Sequence, residues 1–334
     1  MEYRILGKTG LKISRLGFGG IPIQRIDAEG TKKLMHQMAE AGVNFIDTAR
    51  GYTVSEEYLG YALEGIRDRF IIATKSMARD KAGMAADIET SLKNLKTDYI
   101  DLYQIHNLPP EQLEAVMAPD GALTALMEAK AAGKIGHIGL TSHSMVTFEK
   151  ALELPWVETF MFPYNIVETQ AEELIKKCAE KNIGFIDMKP LAGGAIENAT
   201  LALRFLAKSD PVDLLIPGMA DPKELEENIA AVENPAPLSA AELREMDEIR
   251  QTLGTQFCRR CGYCGPCSVG INIPMVFLMN GYYSRYGLQE WAKERWATMA
   301  VKPDACMDCG ACEPRCPYNL PIRELLKKAA KNFE

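Results

Sequence analysis

The sequence predicts an α/β fold in two parts, a (β/α)8 TIM barrel followed by a small, mainly helical domain. Three observations carry that reading. From residue 16 to about 230, short β-branched or aromatic runs alternate with amphipathic helical stretches. Eight such alternations point to a parallel sheet with right-handed crossovers, and eight strands close a barrel that typically takes about 250 residues. Finally, eight of the nine cysteines fall beyond residue 257, in a tail of different composition.

The candidate strands are 16–18, 43–47, 70–74, 99–105, 135–140, 157–162, 183–188 and 214–217. The first helix between them carries Leu34, Met35, Met38 and Ala41 at helical spacing, with Gly42 as its stop. A later one carries Leu174, Ile175, Cys178 and Ala179 ahead of Asn182, and Cys178 reads as a buried small hydrophobe. An open doubly wound sheet is the alternative, but no GxGxxG follows the first strand. Residues 234–239 (NPAPLS) read as a linker whose serine is placed to cap a helix over 240–253. The expected division is therefore a barrel over 1–233, a linker and helix over 234–254, and a cysteine-bearing domain over 255–334.

Composition limits the function. At 47% hydrophobic and 25% charged, the chain can bury a sizeable core. A net charge of −7 argues against a general nucleic-acid binder. No apolar run approaches a membrane span, and MEYRILGKTG has no signal-peptide core. Disulfides suit small secreted domains, so these cysteines point to a reducing cytoplasm and metal-bound thiolates.

Cys306-x2-Cys309-x2-Cys312-x3-Cys316-Pro317 has the bacterial ferredoxin spacing for [4Fe–4S] ligation. The earlier set, Cys258-x2-Cys261-x2-Cys264-x2-Cys267, is one residue short before its fourth cysteine, and Ser268 stands where proline is usual. Zinc is the competing metal, but its sites usually pair two CxxC elements over a longer gap. The two-cluster ferredoxin pattern implies crossed ligation. Cys258, Cys261, Cys264 and Cys316 would hold one cluster, and Cys306, Cys309, Cys312 and Cys267 the other. Between the sets, Phe277, Tyr282, Tyr283, Tyr286, Trp291 and Trp296 read as the small core of this domain, with a ligand surface as the alternative.

Asp47 and Tyr52 lie at and just beyond the end of the second strand, Lys75 ends the third and His106 the fourth. Barrel active sites collect at these C-terminal ends, so the four would converge. Their chemistry suits carbonyl reduction. A neighbouring ammonium stabilises a tyrosine phenolate, so Lys75, oriented by Asp47, would let Tyr52 exchange a proton with the substrate oxygen. His106 would orient the carbonyl. His36 and His137 show no evident partner in the sequence.

With these residues in view, the chain resembles an aldo/keto reductase of the branch with a C-terminal ferredoxin-like extension. RILGKTGLKIS, from Arg4 to Ser14, is similar to that family's opening hairpin, and the match extends through residue 230. The resemblance implies that Asp47, Tyr52, Lys75 and His106 are the catalytic tetrad of a barrel that binds nicotinamide dinucleotide. Ser142 and His143 stand where a Ser-Asn pair holds the carboxamide, Met161 where a glutamine does, and Met188 where an aromatic ring stacks on the nicotinamide. Ile216-Pro217-Gly218-Met219, through Glu227 and Asn228, resembles the segment that takes the adenosine end. The usual 2′-phosphate partners become Gly218 and Glu224, with Lys223 one residue off, so NAD(H) is expected ahead of NADP(H).

The expected function is hydride transfer between NAD(H) or NADP(H) and a small-molecule carbonyl or alcohol. Two [4Fe–4S] clusters would serve electron transfer or architecture. The alternative is an electron-transfer or regulatory subunit whose barrel binds nucleotide without turnover. A one-electron redox protein is the expected partner, and Lys327, Lys328 and Lys331 read as either its docking face or a solvated helix face.

Overall fold

The computed structural model describes residues 1–234 and 236–334. Pro235, in the expected linker, lies outside them. The chain forms two compact units: Met1–Asn165, Thr169–Pro190 and Asn198–Pro237 in the first, and Ile166–Glu168, Leu191–Glu197 and Leu238–Glu334 in the second.

The first unit opens with an antiparallel hairpin, β1 (Tyr3–Ile5) and β2 (Lys12–Ser14). Its turn needs Gly7. There φ is +49°, and a Cβ would lie 2.2 Å from the Gly184 amide nitrogen. Eight parallel strands follow: β3 (Phe18–Gly19), β4 (Phe45–Asp47), β5 (Ile71–Ser76), β6 (Ile100–Ile105), β7 (Ile135–Thr141), β8 (Thr159–Pro163), β9 (Gly184–Met188) and β10 (Leu214–Ile216). Each pairs with its sequence neighbour. The ring closes through parallel bridges Leu16–Leu215 and Gly19–Gly218, with Gly17 N donating to the Leu215 carbonyl at 2.8 Å. That closure excludes the open sheet. The second strand begins at Phe45, not 43, because the Asn44 side chain is held by the hairpin: its Oδ1 accepts from Ser14 N and its Nδ2 donates to the Lys12 carbonyl.

Side chains alternate across each strand, which separates two cores. Phe45, Ala73, Leu102, Met161, Ile186 and Leu214 fill the barrel interior with Leu6 and Ile13 of the hairpin. The opposite faces, including Ile46, Ile72, Tyr103 and Phe160, pack on the surrounding helices. These are α1 (Ala28–Glu40), α2 (Ser55–Ala62), α3 (Lys81–Asn94), α4 (Leu113–Met117), α5 (Ala122–Ala131), α6 (Met145–Ala151), α7 (Glu172–Glu180), α8 (Ala199–Ala207) and α9 (Pro222–Glu233). Asp27, Asp80, Ser144, Asn198 and Asp221 each cap a helix by accepting a backbone N–H. Such a cap contributes about 1 kcal/mol. Two expected core positions are corrected. Ala41 is exposed because it is the C-cap residue of α1, and Ala39 is buried in that region instead. Ala179 follows buried Cys178 by one residue, about 100° round the helix, and faces solvent.

The second unit has no strand among its described residues. Its helices are α10 (Ala240–Gly254), α11 (Ile273–Ser284), α12 (Gln289–Ala297) and α13 (Ile322–Ala330). Ser239 and Glu242 form a reciprocal capping box on α10. The aromatic insert is a core: Trp291 packs on Tyr282 at 4.4 Å between centroids, and Trp296 stacks on Phe333 at 3.9 Å. No described helix is long and apolar enough to cross a membrane.

Candidate active site and cysteine-lined cavities

Asp47, Lys75 and Gln104 sit two residues beyond Phe45, Ala73 and Leu102. The alternation that lines the interior with apolar groups therefore brings polar ones inward at the strand ends. Lys75 Nζ donates to Asp47 Oδ2 at 2.5 Å and to the Thr48 carbonyl at 2.8 Å. Gln104 Nε2 donates to Asp47 Oδ1 at 3.2 Å. Both charged groups are buried. Burial pushes the Asp47 carboxyl above its ordinary range and the Lys75 ammonium below its own, while their mutual attraction opposes both shifts.

Tyr52 and His106 complete the group. Lys75 Nζ lies 4.9 Å from the Tyr52 ring centroid, and the His106 ring meets the Tyr52 ring edge-on at 6.1 Å. Both rings are half-buried. The loop bearing Tyr52 is tied down by Arg50, whose N–H donates to the Lys75 carbonyl at 3.0 Å and whose guanidinium pairs with Glu56. Glu56, 1% exposed at the start of α2, also accepts from Thr74 Oγ1 and Ser91 Oγ, each at 2.8 Å, and its charge favours the ammonium form of Lys75. Sequence reasoning missed Gln104 and Glu56. The period-2 register with Lys75 signals the first, whereas Ser55-Glu56-Glu57 looks like any solvated helix start.

The expected nucleotide positions are more scattered in character. Ser142 is buried, and its hydroxyl donates to the Leu108 carbonyl at 2.8 Å. His143 Nδ1 pairs with Asn107 Oδ1 at 3.0 Å. Met161 and Met188 belong to the interior apolar cluster, Met161 wholly and Met188 at its edge. Gly218 lies on the bridge to Gly19, with Asn228 buried on α9. Glu224 turns back to accept from Ala220 N at 2.7 Å, and Lys223, 80% exposed, reaches Glu227 at 3.6 Å.

In the second unit the eight cysteines line two cavities. One is bordered by Cys258, Cys261, Cys264 and Cys316, with Phe277, Tyr318 and Leu320. The other is bordered by Cys267, Cys306, Cys309 and Cys312, with Met307 and Arg323. Each cavity thus takes three cysteines from one set and one from the other. Four sulfur donors around one space suit an iron–sulfur cubane. No three His, Cys, Asp or Glu side chains among the described residues draw together as around a single ion. The cavities differ. Burial pushes the Cys258 thiol up to about 11 and Cys264 up to about 12. Cys309 is exposed, and the Ser268 hydroxyl 3.4 Å away lowers its pKa. Cys178 is buried in the barrel's outer core, apart from both cavities.

Comparison with known proteins finds a family for each part of the chain. The chain matches the aldo/keto reductase family over residues 15–200 and 196–251, and the 4Fe-4S dicluster domain over 257–321. It is 31% identical over 201 residues to the aldo-keto reductase YhdN of Bacillus subtilis, covering 54% of this chain and 59% of that protein. The match therefore spans under two-thirds of that relative's length. L-galactose dehydrogenase of Arabidopsis thaliana is 26% identical over 287 residues, with 70% and 88% covered. The holo form of an aldo-keto reductase from Bacillus halodurans superposes with a TM-score of 0.65 at 26% identity, covering 75% of this chain and 96% of that one. The chain belongs to the aldo/keto reductase family of oxidoreductases and carries a C-terminal 4Fe-4S domain.

Proposed function

We propose that the barrel catalyses hydride transfer between NAD(H) or NADP(H) and a small-molecule carbonyl or alcohol. The observation that carries this is the position of Lys75 Nζ, buried against Asp47 and 4.9 Å from the Tyr52 ring. The nicotinamide, when bound, supplies or accepts the hydride. Tyr52 gives its phenolic proton to the forming alkoxide and recovers it in the oxidative direction. Lys75 stabilises the phenolate left behind, and Asp47 with Gln104 keeps Lys75 pointed at the ring. His106 orients the substrate oxygen. Ser142, His143, Met161 and Met188 form the nicotinamide end of the cofactor site, and Gly218, Glu227 and Asn228 the adenosine end.

The second unit holds two [4Fe–4S] clusters in this reading, one per cavity, and a reducing cytoplasm keeps their thiolates intact. Hydride transfer moves two electrons together, whereas a cubane normally takes one, and no flavin motif links the two. The clusters therefore serve architecture or one-electron traffic with a protein partner. Lys327 pairs with Asp308 at 2.8 Å, which favours a solvated helix face over a docking patch.

A second reading, a nucleotide-binding subunit without turnover, is favoured by Ser142 and His143, which already hydrogen-bond to Leu108 and Asn107. Anaerobic purification followed by a carbonyl and alcohol panel with NADH and NADPH separates the two. Turnover of one substrate class is expected; tight nucleotide binding with no turnover of any class supports the second reading.

A further inference from the structure

Arg259 lies between two cysteines of the first set and is 7% exposed. Its guanidinium stacks 3.8 Å over the centre of the Tyr318 ring. Nη1 donates to the Gly254 carbonyl at 3.1 Å, and Nη2 to the Val167 carbonyl at 3.2 Å. Both acceptors are neutral backbone carbonyls, and the buried Glu168 beside Val167 acts with Arg259 on Tyr318. A guanidinium keeps its charge at any working pH, and a buried charge without a counter-charge is strongly unfavourable. Arg259 lines the cavity with Cys258, Cys261, Cys264 and Cys316, so an anionic centre held there lies beside its charge.

We propose that Arg259 is the built-in counter-cation of the cluster held by those four cysteines and sets its reduction potential. This rests on the reading that a [4Fe–4S] cluster fills the cavity. Reduction adds one electron to a centre already made anionic by four thiolates. The apolar wall of Phe277, Leu320 and Ile322 disfavours that extra charge, and a fixed cation beside it favours it. Among the described residues that line the other cavity, none is a buried cation. Arg323 lines it, but its Nη2 pairs with Glu313 at 2.8 Å and its side chain is 38% exposed, so its field is neutralised and screened. The two clusters are unequal by construction, and Arg259 governs only one.

The test is a redox titration followed by electron paramagnetic resonance on the anaerobically purified full chain, comparing wild type, Arg259→Gln, Arg259→Lys and Arg323→Gln. In Arg259→Gln one cluster moves to a more negative potential. At its wild-type midpoint, the reduced-to-oxidised ratio falls about tenfold. The other cluster does not move. Arg259→Lys keeps most of the wild-type value because the charge survives, and Arg323→Gln leaves both clusters unchanged. With iron content intact, an Arg259→Gln protein whose potentials match wild type overturns the proposal, and so does an equal shift of both clusters. If Arg259→Gln loses one cluster's iron, retention in Arg259→Lys supports the role of charge. Loss in both variants overturns it in favour of a purely structural anchor. A wild-type protein without iron and sulfide defeats the cluster reading itself, which is a different outcome from loaded clusters indifferent to Arg259.

Discussion

Phe148 in the barrel stacks on Phe160 at 4.2 Å, inside one apolar layer that runs from Leu16 to Val232. Trp296 in the second unit stacks on Phe333 at a similar 3.9 Å, and that contact joins two short helical segments. Its cysteine segments, 258–267 and 306–316, contain no strand and no α-helix. The barrel satisfies its backbone through a closed ladder of eight strands and needs no ligand to do so. Those two segments have no ladder, so we expect metal–sulfur bonds to supply their cohesion, as in small metal-dependent domains. A bound group in the barrel is a matter of chemistry, whereas in the second unit it is also a matter of folding.

The largest expected effect breaks the two units apart in that sense. Anaerobic protein should carry about eight irons. Cys312→Ser should lose about half of them and disturb the other cluster through the shared cysteine sets. Iron chelation should abolish the second unit's cooperative structure while the barrel's transition survives. Iron analysis and hydrogen exchange resolved along the sequence read both. Uniform protection of 255–334 after iron removal would break the comparison.

Next in size is an effect confined to the barrel. Tyr52→Phe should lower turnover by about 10²- to 10⁴-fold with nucleotide binding nearly unchanged, because only the proton donor is removed. Lys75→Met should act in the same direction, and neither change should alter iron content. Retention of most activity by Tyr52→Phe on a true substrate would remove it from the mechanism.

The same contrast explains what the sequence made legible. The barrel's eight strands announce themselves through runs such as Phe70-Ile71-Ile72, because a buried parallel strand must be apolar on both faces. The convergence of Asp47, Tyr52, Lys75 and His106 was readable because strand ends in a barrel meet whatever the loops do. Partners supplied by distant elements were not. His137 had no visible partner, yet Glu158, just before the neighbouring strand β8, lies 2.7 Å from its Nδ1. Nothing in the sequence around Arg259 says that Val167 and Tyr318 enclose it. The inclusion of 166–168 and 191–197 in the second unit is likewise a long-range property.

Acid should sharpen the comparison through a carboxylate of the barrel. Burial pulls the Glu158 pKa upward. Hydrogen bonds from His137, Lys130 and the Ile138 N–H more than reverse this and lower it to about 2. A carboxylate with a depressed folded-state pKa stabilises the fold above its unfolded value near 4.5, and that stability is lost as pH falls toward 2. The amount is about 2–3 kcal/mol. Asp213 works the other way: burial raises it to about 6, so its ionisation weakens the fold as pH rises from 3.8 to 6. Glu158→Gln should therefore lower barrel stability at neutral pH and flatten its decline below pH 4.5. Denaturant unfolding of both proteins at several pH values checks this, and parallel acid profiles would refute the assignment.

The smallest expected effect is cofactor choice, which again depends on the barrel alone. A 2′-phosphate is usually gripped by charge-assisted bonds from a guanidinium or ammonium. At the corresponding positions Gly218 offers no side chain, and Glu224 is negative and committed to the Ala220 N–H. Lys223 is the nearest cation in sequence, but it is solvated and faces Glu227. An extra dianion at this site gains little and meets two carboxylates, so NADH should bind at least as tightly as NADPH. Glu224→Ala should weaken NADH binding little and improve NADPH binding by a few-fold, because one repulsion disappears while no cation is added. Glu224→Arg adds the missing cation and should improve it by about tenfold or more. Fluorescence titration of both nucleotides against the three proteins decides the matter. A hundredfold NADPH preference in the wild type would mean that Lys223 abandons Glu227 for the phosphate, and Lys223→Ala would then erase that preference.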